Sequence, residues 1–98
     1  MWIHLESGFR RDEVRVLVDG GEVFAGRDVR TDYSIGLAEV IEVKVTPGWT
    51  DVEVQVPTRQ LRQLMRMDTR EHAFLGVSIA PDGSRIEFSA AASPPDRY

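Results

Sequence analysis

The chain has 98 residues, of which 42% are hydrophobic and 29% charged, a length and balance that limit it to one domain with one modest core and exclude wholesale disorder. Its net charge of −4 gives no electrostatic basis for binding duplex DNA or an anionic membrane. It has no Cys, which excludes disulfides, thiolate metal sites and a cysteine nucleophile.

A first strand is predicted over residues 2–6, followed by a polar loop around Gly8. Residues 13–18 alternate, with Val14, Val16 and Val18 on one face and Glu13 and Arg15 on the other. Period two is the signature of a strand. Asp19-Gly20-Gly21-Glu22 then reads as a hairpin turn, because glycine adopts positive φ without steric cost. Residues 23–25 return, a short edge strand is expected near 29–31, and 32–36 form a loop.

Residues 38–45 make the next strand, with Ile41, Val43 and Val45 facing one way. Thr46-Pro47-Gly48-Trp49 is a turn. Residues 51–56 alternate cleanly, Val52, Val54 and Val56 inward and Glu53 and Gln55 outward, until Pro57 ends the run. Over 58–67 the spacing of Leu61, Leu64 and Met65 opposite Arg59, Arg62 and Arg66 predicts a short amphipathic helix with Thr58 as its N-cap. A strand carrying Leu61, Met65 and Met67 on one face is the alternative, and Arg59 at the positive end of a helix dipole counts in its favour. Residues 73–80 form a strand with Leu75, Val77 and Ile79 on one face. Pro81-Asp82-Gly83-Ser84 is a second hairpin turn, and 85–89 return with Ile86 and Phe88 inward. Residues 90–98 contain Ser93-Pro94-Pro95-Asp96, lack periodicity and read as a flexible tail.

About seven or eight short strands separated by turn signals predict an all-β, antiparallel two-sheet sandwich spanning residues 1–89 as a single domain. The glycine hairpin at 19–22 and the Pro-Gly turn at 47–48 resemble those of immunoglobulin-like and carboxypeptidase-regulatory-like accessory domains, a likeness of architecture that implies a sandwich and no particular activity. Residues 1–6 lack the basic start and long apolar run of a signal peptide, and no stretch approaches the roughly 20 apolar residues of a membrane span, so a cytoplasmic location is expected.

The chemistry-bearing residues form no catalytic constellation. His4 and His72 lie far apart in the chain, no serine sits in a Gly-x-Ser-x-Gly elbow, and Asp19, Asp28 and Asp32 occupy turn positions where carboxylates bond the local backbone. No metal or cofactor is expected. Two features stand out instead. Arg59, Arg62, Arg66 and Arg70 would fall within about 80° of one another on a helix, suited to an acidic partner or to solvent. Trp2, Tyr33 and Trp49 are candidate aromatic anchors, Trp49 either exposed beyond its turn or folded back as a lid on the core. The expected function is a non-catalytic protein-interaction or assembly module, binding another protein or a second copy of itself through Trp49, Arg59, Arg62, Arg66, Tyr33 and Trp2. A carbohydrate-binding module using the aromatics is the first alternative. A small enzyme or enzyme subunit with a site near His4 and His72 is the second.

Overall fold

The computed structural model describes residues 1–92 and is nearly all β, with two four-stranded sheets packed face to face. The strands are β1 (Trp2–Leu5), β2 (Asp12–Val18), β3 (Gly21–Val29), β4 (Glu39–Glu42), β5 (Trp49–Val56), β6 (Leu61–Asp68), β7 (Phe74–Ile79) and β8 (Ile86–Ala91). One sheet has the order β4-β1-β7-β8 and the other β3-β2-β5-β6. All pairings are antiparallel except β1 with β7, which run parallel. Among the described residues no helix is long and apolar enough to cross a membrane.

The alternating valines do what their period implies. Val14 and Val16 on β2 and Val52, Val54 and Val56 on β5 are fully buried, and they face Ile3, Leu5, Leu75 and Val77 across the sandwich. Each such side chain contributes roughly 1.5–3 kcal/mol by leaving water. Phe9, in the loop after β1, joins the same core.

The strands expected at 23–25 and 29–31 form one strand, β3, which runs from Gly21 to Val29 and ends there. Three further expectations change. The strand expected over 38–45 is assigned only over Glu39–Glu42, because β1 supplies no ladder partner beyond the Met1–Val43 exchange of backbone hydrogen bonds. Residues past 89 remain in the sheet, since Ala90 and Ala91 pair with Leu75 and Phe74. The tail expected beyond them, with its Ser93-Pro94-Pro95-Asp96 run, lies outside the described residues.

The third change is the largest. Residues 58–67 are not an amphipathic helix. Pro57–Arg59 form a single 3-10 turn, Gln60 takes a left-handed φ of 56° that a continuing helix excludes, and β6 follows. The physical reason is the free edge of β5. Pairing all of Leu61–Asp68 with β5 satisfies that ladder and turns Met65 and Met67 toward the core, whereas a helix would leave the edge open. Leu64, which the helical spacing assigned to the core, is 55% exposed on the outer face. Helical spacing of Leu61, Leu64 and Met65 is therefore incidental, and the period-two set Leu61, Met65 and Met67 is the one that packs against the core.

Gly8 fixes the first loop. Its φ is 92°, and a Cβ there would lie 2.6 Å from the Ile79 carbonyl oxygen. The neighbouring Ser7 carbonyl accepts from the Ile79 amide at 2.9 Å, so the loop is held against the end of β7. Gly8→Ala is expected to destabilise the domain by more than about 2 kcal/mol, since a backbone penalty of roughly 1–3 kcal/mol adds to the contact. Urea unfolding of wild type and variant measures it.

Candidate functional site

The candidate site residues divide among three places. Sheet β3-β2-β5-β6 turns even-numbered β5 residues inward, so Trp49, Asp51, Glu53 and Gln55 point out. On β6 the outward set is Arg62, Leu64, Arg66 and Asp68, opposite Gln55, Glu53, Asp51 and Trp49 respectively. Arg62 pairs with Glu53 at 2.8 Å, and Arg15 pairs with Glu22 at 3.1 Å on the same face. Such exposed pairs add little stability; they settle the orientation of the side chains.

Trp49 stands at the start of β5, where the Thr46–Gly48 turn delivers it to the outer face. The Gly48 amide donates to the Thr69 hydroxyl at 3.0 Å, and the Thr69 amide donates to the Gly48 carbonyl at 2.9 Å. Those bonds clamp the turn to the end of β6. The ring is 61% exposed, so it is not a lid on the core. The Arg66 guanidinium lies 5.4 Å from the ring centroid, within cation–π range. Trp49 separates two depressions. One of about 560 Å³ includes Val18, Val23, Val43 and Val45 in its walls. The other, of about 250 Å³, includes Met65, Met67, His72 and Ala90. Behind them Asp68 accepts from Arg70 Nη2 at 2.8 Å and from the Arg70 amide at 3.0 Å, and the Arg70 side-chain bond holds its carboxyl below the ordinary value.

Arg59 belongs to the opposite end of the sandwich. It lies in the turn after β5, where its Nε donates to Asp12 Oδ1 at 2.9 Å and its Nη2 donates to Asp12 Oδ2 and the Gly8 carbonyl, each at 3.0 Å. The Thr58 hydroxyl donates to Asp12 Oδ1 at 2.9 Å and the Arg10 amide to Oδ2 at 2.8 Å. Burial alone pushes the Asp12 carboxyl up; the bonds from Arg59, the Arg10 amide and Thr58 outweigh it and hold the carboxyl below its ordinary value. Tyr33 borders this end, its hydroxyl accepting from the Gly8 amide at 3.2 Å.

The predicted row of four arginines is thus split: Arg59 ties a turn, Arg62 and Arg66 share one strand face, and Arg70 holds Asp68. Trp2 lies on the outer face of the other sheet, opposite Glu42 and Phe74. His4, on that same face, meets the Phe74 ring edge-on at 4.8 Å, and burial lowers its pKa against the opposing pull of Glu6. His72 lies beside Trp49 instead. Among the described residues no group of three or more His, Asp or Glu side chains is arranged to hold a metal ion. Of the carboxylates expected to bond the local backbone, Asp32 does so at Ser34, as does Asp82 at Ser84, whereas Asp19 accepts from the distant Asp51 amide at 2.9 Å and Asp28 lies within β3 and accepts from the Arg30 side chain. Asp12 carries no signal in the sequence analysis, and Leu64 is placed there on the apolar side of a helix, not on the outer face. Nothing in the sequence pairs Asp12 with Arg59; the parity of Leu64 with Arg62 and Arg66 was visible under the strand alternative.

No family model, curated protein or solved structure matches the chain.

The buried carboxylate makes the Arg59 end a stability element. Arg59→Met strands Asp12 with part of its bonding lost and is expected to cost about 3 kcal/mol in urea unfolding. The depressed Asp12 pKa sets the pH dependence. Its contribution is complete above the ordinary carboxyl value of 3.8 and is lost as pH falls through the lower folded value. Asp12→Asn is therefore expected to flatten the stability profile in that acid window, measured by urea midpoints across pH.

Proposed function

We propose that this chain is a non-catalytic protein-interaction module whose contact surface is the outer face around Trp49 and Arg66. The observation that carries this reading is the exposed Trp49 ring with the Arg66 guanidinium over it, 5.4 Å from the centroid. Trp and Arg are the side chains most enriched among binding hot spots, because one combines large apolar area with a donor and the other offers several directed donors. Here the two are already positioned against each other, which reduces the ordering cost of binding. The clamp of Gly48 by Thr69 holds the backbone beneath the ring. Burying the open part of a ring that offers roughly 150–250 Å² gains on the order of 2–4 kcal/mol before ordering costs.

The placement of the other candidates favours a protein partner over a sugar. A sugar platform needs coplanar aromatics, whereas Trp49, Tyr33 and Trp2 occupy one sheet face, a loop at the far end and the opposite sheet face. His4, packed on Phe74, and His72, beside Trp49, likewise lend a catalytic site no support.

The test is a pull-down from source lysate with wild type and Trp49→Ala side by side, followed by titration of the captured protein. Trp49→Ala is expected to weaken binding by more than about 1 kcal/mol while leaving the circular dichroism spectrum unchanged. Equal affinity of a folded variant, or an empty wild-type bait, would overturn the reading.

A further inference from the structure

The four sheet edges differ in ways that bear on what this surface binds. β4 is short, at four residues, and β3 is broken by two register shifts. Both are common devices for blunting an edge. β8 has six residues. β6 is an eight-residue strand in unbroken register with β5, and β5 is its one strand partner among the described residues. Its outer backbone groups are therefore a template for another strand.

The side chains of β6 state which strand fits. Arg62, Leu64 and Arg66 alternate along its outward face, and Leu64 is an exposed apolar residue between two cations. The strand behind it carries the opposite sign, with Asp51 facing Arg66 and Glu53 bonded to Arg62. Charge thus alternates across the sheet, from acidic β5 to basic β6, and the next strand in that series is acidic. Opposite charges on directly facing residues stabilise strand pairs, and like charges oppose them.

We propose that β6 accepts an added β-strand from a partner protein, with acidic, apolar and acidic residues at alternate positions facing Arg62, Leu64 and Arg66. This rests on the Trp49 reading, since it places the partner on the same sheet face. Backbone hydrogen bonds to β6 supply affinity, and the alternate side chains set register. A second copy fits less well: the symmetric antiparallel register that aligns Leu64 with Leu64 brings Arg62 opposite Arg66.

The test uses the full chain labelled with ¹⁵N and a blocked peptide, Thr-Glu-Thr-Val-Thr-Glu-Thr, titrated to millimolar concentration. Amide shifts are expected along β6, with binding at least tenfold weaker when both Glu are replaced by Lys. N-methylation of one alternate set of peptide amides is expected to abolish binding while the other set is tolerated. Arg62→Glu with Arg66→Glu is expected to reverse the preference toward the Lys peptide; Arg62→Gln with Arg66→Gln, a milder change, is expected to remove it. Absence of β6 shifts, or tolerance of N-methylation in both sets, overturns the proposal. Concentration-dependent shifts of β6 without peptide assign the edge to a second copy and overturn it as well. Partner loss in Trp49→Ala with no peptide binding at β6 removes the added strand and leaves the Trp49 surface standing; the converse result removes the Trp49 surface alone.

Discussion

Val14 and Val16 on β2 and Val52, Val54 and Val56 on β5 sit side by side with no solvent exposure, facing Ile3, Leu5, Leu75 and Val77 of the other sheet. Two adjacent strands with one apolar face each can remove that face from water only by stacking on another layer, which here is the second sheet. The rest of the structure follows from that requirement. β5 needs a partner on its far side, so residues after Pro57 extend as β6 instead of coiling. Inward commitment of the even positions on β5 then sends Trp49, Asp51 and Glu53 to the outer face, where the candidate site lies.

The two ends of the sandwich are closed differently. At one end, Asp12 gathers donors from Arg59, Thr58 and the Arg10 amide, and the resulting network joins the β1–β2 loop to the turn after β5. A buried carboxylate demands such saturation, because an ionised group without partners is costly in a low dielectric. The Arg59 side chain is largely committed by that demand. At the other end, Thr69 fastens the Gly48 turn through backbone and hydroxyl bonds, and the parity of β5 leaves the Trp49 ring on the outer face. Rigidity of the backbone and openness of the side chain coincide there, a combination suited to recognition.

Electrostatics on the outer sheet face are local. Arg15 with Glu22 and Arg62 with Glu53 neutralise one another across strands, with little effect on stability because the pairs are open to solvent. On the β6 side, Arg62 and Arg66 sit on the edge strand and Asp51 and Glu53 on β5 behind it, so the paired charges carry a directional pattern there. Net charge alone would not distinguish this arrangement from a random one.

The sandwich class, the two glycine-bearing hairpins and the inward valines were legible in the sequence because side-chain alternation and turn chemistry are local properties of the chain. The order of the strands, the parallel β1–β7 pair and the strand character of residues 61–68 were decided only by tertiary structure. Leu61, Leu64 and Met65 satisfy a helical period and Leu61, Met65 and Met67 a strand period, and the one local effect between them, Arg59 at the positive end of a helix dipole, is small; the unpaired edge of β5 decides. The arginines show the same division. Their number and spacing belong to the sequence, but whether each meets a carboxylate, a ring or solvent depends on residues as distant as Asp12 from Arg59, which only the folded chain brings within hydrogen-bonding distance.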